Sequence, residues 1–320
     1  MNLKLSIVTP CYNEGININS FFGEICSIRD KLPEQTDLEL IYVDDGSRDD
    51  TFARILELAK AHDYVKYVRF SRNFGKEAAM LAGLRASSGD YVVILDADLQ
   101  DPPSLIPEMY RLIATGEYDR IATKRIDRQG EPFIRSCFSR IFYKLINSVS
   151  DIKIVDSARD FSMMSRRFVD FVLSLPERSR FTKGLFEWAG YRTHWISFNN
   201  LERSKGTSKW SFMKLFQYSV EGIVSFSNMP LIISSVVGIV LFLFSFLMIV
   251  AVIIKKVFFG DPVDGWSSLV CIIFFVSGLQ QMSIGILGSY LSRVFIETKN
   301  RPLYAIMDSN IEQEKTYGFK

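Results

Sequence analysis

Two long runs without a charged residue constrain this 320-residue chain more than any other feature: Pro230–Ile254 (PLIISSVVGIVLFLFSFLMIVAVII) and Trp266–Ser292. As helices they would reach roughly 37–40 Å, against about 30 Å of bilayer hydrocarbon. Lys255 and Lys256 close the first run and Arg293 closes the second. Uncharged runs of this length are rare in buried core helices, so the pattern predicts two transmembrane helices, 230–254 and 266–292, joined by a short extracytoplasmic loop at 255–265. Gln280 and Gln281 inside the second run are expected to face protein. Ser234/Gly238 and Gly285/Ser289 would permit close helix packing. The short link places both flanks on one side of the membrane. Met1–Thr9 lacks the basic-then-apolar order of a secretory leader and reads as a strand. Counting basic residues on the flanks leans toward a cytoplasmic main body.

The rest of the chain has the composition of a folded protein, 48% hydrophobic with a net charge of +2, which argues against disorder and against nucleic-acid binding driven by bulk charge. Four scattered Cys form no disulfide framework and no zinc spacing, and two His exclude a His-based metal centre.

Over the first 125 residues, strand-like apolar runs (Leu3–Thr9, Leu38–Val43, Val65–Phe70, Tyr91–Leu95) alternate with helical patterns near Asn17–Lys31, Asp50–Ala61, Lys76–Ala86 and Pro103–Thr115. This predicts an α/β fold with a mostly parallel sheet. Ligands of such sheets bind beyond the carboxyl ends of the strands. The segments there are Pro10–Glu14, Asp44–Ser47, Ser71–Lys76 and Asp96–Gln100. There is no G-x-G-x-x-G after the first strand and no G-x-x-x-x-G-K-[ST], which disfavours hydride transfer and P-loop chemistry. An acidic edge remains. Asp96 and Asp98, one residue apart after VVIL, suit a hard divalent cation whose shell a diphosphate would complete.

Pro10–Glu14, Val43–Ser47 and DADLQDPP (Asp96–Pro103) resemble the GT-A glycosyltransferases of family 2. Together with RNFGKEAAMLAGL and the terminal hairpin, they are similar to the polyprenyl-phosphate glycosyltransferases, of the bactoprenol glucosyltransferase and dolichol-phosphate mannosyltransferase types. The resemblance runs from Leu3 to about Pro302. It implies nucleotide-sugar contacts at Pro10, Tyr12, Glu14, Asp44, Lys76 and Asp96. It implies Mg²⁺ or Mn²⁺ on Asp98 and Gln100, with Asp96 nearby. It further implies acceptor-phosphate contacts at Arg125, Arg135 and Ser139, with Arg128 a less secure neighbour.

Phe133–Val149 carries an apolar helical stripe with Arg135, Arg140 and Lys144 off it, which fits a membrane-surface helix as well as a core-packing one. Arg203-Ser-Lys205-Gly206-Thr-Ser-Lys209-Trp210 resembles the family's R-x-x-G-x-S-K-W run, and Arg203 and Lys209 could stabilise a departing diphosphate. Asp160 matches the family's proposed base; it could instead orient the acceptor or balance Arg159, and Asp156 competes with it.

The resulting expectation is a cytoplasmic GT-A domain (1–209), an amphipathic juxtamembrane segment (210–229), the hairpin and a cytoplasmic tail (293–320). The resemblance implies a multi-pass plasma-membrane enzyme expected to move a sugar, with UDP-glucose the leading donor, onto polyprenyl phosphate with inversion. The resemblance also implies a homo-oligomer, a tetramer among the possibilities. Two other readings are a polysaccharide synthase of the same fold, which would carry Q-x-x-R-W, and a catalytically silent membrane scaffold. The first lacks its motif here, and the intact acidic and basic positions disfavour the second.

Overall fold

The computed structural model describes residues 3–126, 155, 157–178, 180–198, 229–259 and 265–311. Arg128, Arg135, Ser139, Asp156, Arg203 and Lys209 lie outside the described residues, as do the whole Phe133–Val149 stripe and all of the juxtamembrane segment but Met229.

The chain opens as β1 (Leu3–Cys11), α1 (Gly15–Arg29), β2 (Thr36–Asp44), α2 (Thr51–Ala61), β3 (Val65–Phe70), α3 (Lys76–Ala86) and β4 (Tyr91–Ile94). A 3₁₀ turn (Pro103–Leu105) leads into α4 (Ile106–Ala114) and β5 (Arg120–Arg125). Then come β6 (Ala158–Ser165), α5 (Arg166–Ser174), α6 (Thr182–Trp188) and β7 (Thr193–Phe198). Two long helices, α7 (Met229–Phe259) and α8 (Trp266–Lys299), precede β8 (Ile306–Ser309).

Side chains of a strand point alternately to the two faces of its sheet. Leu5, Ile7, Leu40, Tyr42 and Val93 pack on one face with α1, α2 and α4. Val8, Ile41, Val43, Val92 and Ile94 pack on the other with α3, α5 and α6. Both faces are covered, which is why these strands read as continuous apolar runs.

The eight-stranded sheet runs β7-β5-β6-β4-β1-β2-β3-β8. Four pairings are parallel and three antiparallel, so the sheet is mixed rather than mostly parallel. The antiparallel pairings come from β6, inserted between β4 and β5, and from β8 at the far edge. β1 sits between β2 and β4, so the chain reverses its direction of travel across the sheet at the β1/β4 boundary. A crevice opens at such a reversal, beyond the strand ends.

The expected tail is only partly a tail. Ser71 N donates to Ala305 O at 2.9 Å, and Tyr67 N donates to Asn310 Oδ1 at 2.8 Å. The Tyr304 ring stacks on Phe70 at 4.8 Å. Residues after α8 therefore return to complete the sheet of the N-terminal domain.

Among the described residues no helix is long and apolar enough to cross a membrane, so the expected transmembrane pair is not supported as such. The helical backbone itself spans 31 and 34 residues, about 46 and 51 Å. It contains both uncharged runs and continues through Lys255 and Lys256, past the expected first boundary. Large apolar side chains stand exposed along both helices, among them Ile233, Phe244, Phe275 and Leu287.

Candidate active site

Four loops meet at the carboxyl ends of β1, β2, β3 and β4. Two of them hold non-glycine residues in the left-handed region: Asn13 (φ 55°) after β1 and Leu99 (φ 56°) after β4. Asn tolerates that conformation; Leu does so at a cost of about 1–3 kcal/mol, a form of strain that gathers at functional sites. The Leu99 turn lets Asp98 Oδ1 accept from Gln100 N at 3.1 Å, so Asp98 and Gln100 are set by one tight turn.

The loop after β2 is held by its own carboxylates. Asp44, almost fully buried, accepts from Ser47 N at 3.0 Å through Oδ1. Its Oδ2 lies 3.5 Å from Arg69 Nε, an ion pair without hydrogen-bond geometry, and both atoms are buried without a hydrogen-bond partner among the described residues. Asp45 turns the other way and accepts from Phe74 N (2.6 Å) and Gly75 N (2.9 Å), which ties the loop after β3 to β2. Burial pushes the Asp45 carboxyl up, against those two bonds. Between them Gly46 (φ +69°) passes so close to Arg72 that a Cβ would lie 2.5 Å from its carbonyl carbon, leaving room for glycine alone.

Pro10 lies in β1 opposite Val43, and Tyr12 stands partly exposed at the strand end. Glu14 accepts from Asn17 Nδ2 at 2.7 Å, while its backbone N–H donates to Thr51 Oγ1 at 2.8 Å. These expected nucleotide-sugar residues therefore share one edge with Asp44.

Charge concentrates at Lys76, the first residue of α3. Its Nζ donates to Asp96 Oδ2 at 2.7 Å and to Asp160 Oδ2 at 2.6 Å. One ammonium thus joins the acidic turn after β4 to a carboxylate of β6. Burial alone would lower the Lys76 pKa, but the two carboxylates raise it well above its ordinary value. Burial pushes the Asp160 carboxyl up, but Lys76 beside it and Lys183, 3.8 Å away, outweigh that effect. Asp160 is held well below the usual carboxylate range.

The direct partner of Arg159 is Asp101, and Asp160 adds only a weaker attraction through space. Adjacent strand residues face opposite ways, and the Arg159 guanidinium binds Asp101 in a fork, Nε to Oδ1 at 2.7 Å and an NH₂ to Oδ2 at 3.0 Å. Burial of Asp101 outweighs the pairing and leaves its carboxyl raised, so the pair locates β6 against the acidic loop more than it adds stability. Arg125, at the end of β5, donates to Gln100 Oε1 at 3.4 Å, which puts the expected acceptor-phosphate residue beside the expected metal pair.

Sequence reasoning missed Lys183, Arg69 and Glu77. Glu77 accepts from the backbone N–H of Thr182 at 3.1 Å and from its hydroxyl, and so fastens the start of α6, which carries Lys183. Burial raises the Glu77 pKa to about 7. The signal available for it was its place next to Lys76 at the first turn of α3.

Among the described residues no group of three or more His, Cys, Asp or Glu is placed to hold a metal ion. The acidic turn instead offers two carboxylates and an amide oxygen. That hard-oxygen set fits Mg²⁺ or Mn²⁺ when ligand phosphates and water complete the shell.

The model of the family described as "Glycosyl transferase family 2" matches residues 6–173. The chain is 40% identical over 307 residues to a Bacillus subtilis protein named as a glycosyltransferase, CsbB, covering 96% of this chain and 92% of the relative. It is 39% identical over 308 residues to the SfII prophage-derived bactoprenol glucosyl transferase of Shigella flexneri, covering 96% and 99%. Among solved structures, glucosyl-3-phosphoglycerate synthase from Mycobacterium tuberculosis, in complex with Mn²⁺, UDP-glucose and phosphoglyceric acid, aligns over 69% of this chain and 78% of its own at 22% identity, with a TM-score of 0.46. The family match covers both the acidic turn and the strand that carries Asp160, and with the full-length relatives it makes this chain a member of glycosyl transferase family 2.

Proposed function

We propose that the enzyme transfers a sugar, glucose in the first instance, from a UDP-sugar to the phosphate of a polyprenyl phosphate at the cytoplasmic face of the plasma membrane, with inversion at the anomeric carbon. The observation that carries this reading is the reach of the likeness to bactoprenol glucosyl transferases. It spans 96% of the chain, and thus extends well past the glycosyl transferase domain toward the long helices.

The chain's own residues supply most of the chemistry. Tyr12, Glu14 and Asp44 bind the nucleoside end of the donor. The acceptor phosphate lies near Arg125, within reach of the acidic turn. A phosphate oxygen forms the new bond to the anomeric carbon as the bond to the diphosphate breaks, and the electron pair leaves with the nucleoside diphosphate. The nucleophile is already anionic, so no strong base is required. Asp160, kept ionised by Lys76, orients the acceptor and balances charge rather than taking a proton. Mg²⁺ or Mn²⁺ on Asp98 and Gln100, with Asp96 beside them, would supply charge neutralisation for the leaving diphosphate. Arg203 and Lys209 are assigned to the same diphosphate, and Arg135 and Ser139 to the acceptor phosphate, on the resemblance alone.

The exposed apolar faces of α7 and α8 support burial in a bilayer, since patches of that extent seldom stay wet. Such anchoring keeps the site beside its lipid acceptor and turns a search in solution into a local encounter. A homo-oligomer belongs to the same reading, and sedimentation of the detergent-solubilised protein measures it.

The test is a transfer assay. Full-length protein in lipid nanodiscs is incubated with labelled UDP-glucose, undecaprenyl phosphate and Mn²⁺, then extracted with organic solvent. Label should enter the organic phase, disappear with EDTA and fall about 10²–10³-fold in folded Asp98→Ala protein. Label in a water-soluble polymer would favour a polysaccharide synthase, and no transfer from any donor would favour a silent scaffold.

A further inference from the structure

We propose that Met307, on the strand that follows the second long helix, is a specificity-determining residue of the donor site, because β8 forms the outer wall of the pocket that takes the nucleobase. The inference rests on the donor reading above and adds a residue beyond the glycosyl transferase domain itself.

A pocket of about 270 Å³ opens at the ends of β2 and β3, lined by Tyr12, Ser47, Arg69, Arg72, Asn73 and Met307 among others. Sites for drug-sized ligands run to about 300–1,000 Å³, so this one has room for part of a nucleotide-sugar and not for the whole. Its place in the sheet says which part. The acidic turn follows β4, and β4, β1, β2 and β3 are successive neighbours. Three strand spacings of about 4.8 Å put the turn and the pocket roughly 14 Å apart. With the diphosphate at the acidic turn, the ribose crosses β1 and β2 and the base lies at β3. Asp44 Oδ2, almost fully buried, ion-paired with Arg69 and without a hydrogen bond among the described residues, lies on that path, at the end of β2.

Met307 is unusual for its surroundings. β8 is pinned on both sides of it, by Ser71 N to Ala305 O at 2.9 Å and by the hydroxyl of Ser309 to Tyr67 O at 3.0 Å. Tyr304 is buried on Phe70. Yet Met307 itself is 65% exposed. A thioether beside a pocket otherwise lined by hydroxyl, amide, guanidinium and aromatic groups offers the soft apolar contact that a flat heteroaromatic ring takes on its face. The end of α8 is held by the loop after α5: Arg178 N donates to Glu297 Oε1 at 2.9 Å, and its guanidinium binds Asn300.

The experiment is calorimetry on full-length protein in nanodiscs, titrated with UDP–Mn²⁺ and, separately, with inorganic pyrophosphate–Mn²⁺. Met307→Ala should weaken UDP about 5- to 10-fold and leave pyrophosphate unchanged, while Met307→Leu restores UDP to within about twofold. Thermal unfolding checks that each variant is folded. UDP affinity unchanged in Met307→Ala overturns the proposal, as does equal weakening of both ligands, which would mean general damage. Wild-type protein that binds pyrophosphate but no nucleoside diphosphate sinks the donor reading itself, a result the Met307 variants cannot mimic.

Discussion

The two halves of the sheet hold their polar groups by different means. At the carboxyl ends of β1, β2 and β3, carboxylates accept mainly from backbone N–H groups, Asp44 from Ser47, Asp45 from Phe74 and Gly75, Asp49 from Gly15, although Arg69 also lies 3.5 Å from Asp44 and Lys4 pairs with Glu39 at the other end. Around β4, β6 and β5, charge meets charge: Lys76 with Asp96 and Asp160, Arg159 with Asp101, Arg120 with Glu187. Backbone donors fix a direction and carry no net charge, which suits a nucleoside whose charge is constant through the reaction. Side-chain pairs can exchange partners when phosphates arrive and a diphosphate departs. The difference maps onto the chemistry assigned to each half, and it can be broken by mutation.

The largest effect is expected from Lys76→Met. Removing the ammonium leaves Asp96 and Asp160 facing each other, and like charges at that separation drive one carboxyl to hold a proton. Sugar transfer should fall about 100-fold, with the acid limb of kcat/KM moved to higher pH than in the wild type. A parallel drop with an unmoved pH profile would show that Lys76 is a ligand contact and not the holder of the pair.

Asp101→Ala tests whether the charged half depends on its buried fork. Leaving Arg159 without its partner should cost about 2–3 kcal/mol, read by chemical denaturation. Unchanged stability would mean that β6 is placed by packing of Phe161 and Met163 alone.

The smallest effect concerns Glu77, at the seam between Lys76 and α6. Its folded pKa, about 7, lies above the 4.5 of an ordinary Glu. The native state therefore holds this proton more tightly than the unfolded chain. That contribution to stability is complete below about pH 4.5 and is lost as pH rises through about 7. Glu77→Gln should flatten this slope, so its melting temperature gains on wild type as pH rises across that range. A constant difference would show that burial of Glu77 is not what sets its titration.

Much of the fold was readable before the structure. The ends of β3 and α3 fall at the residues the apolar pattern indicated, Val65–Phe70 and Lys76–Ala86. Both helical runs near the end of the chain are helices. The acidic turn after β4 stood out because carboxylates directly after a buried apolar strand have few structural uses. What escaped notice is separated along the chain. Lys76 meets partners 20 and 84 positions away, and Tyr67 bonds Asn310 across 243 positions. The fork between Arg159 and Asp101, 58 positions apart, could not be seen from the sequence, where Asp160 stood next to Arg159.

The amino-acid order by itself determined the local elements and the identity of the acidic loop. Apolar period, turn residues and helix length act over a few neighbours and need no knowledge of the rest of the chain. Only the tertiary structure decided which cation holds the two carboxylates together, that β6 enters antiparallel, and that the strand beyond α8 returns to pair with β3. Those outcomes depend on which distant surfaces exclude water together, and that is a property of the assembled sheet.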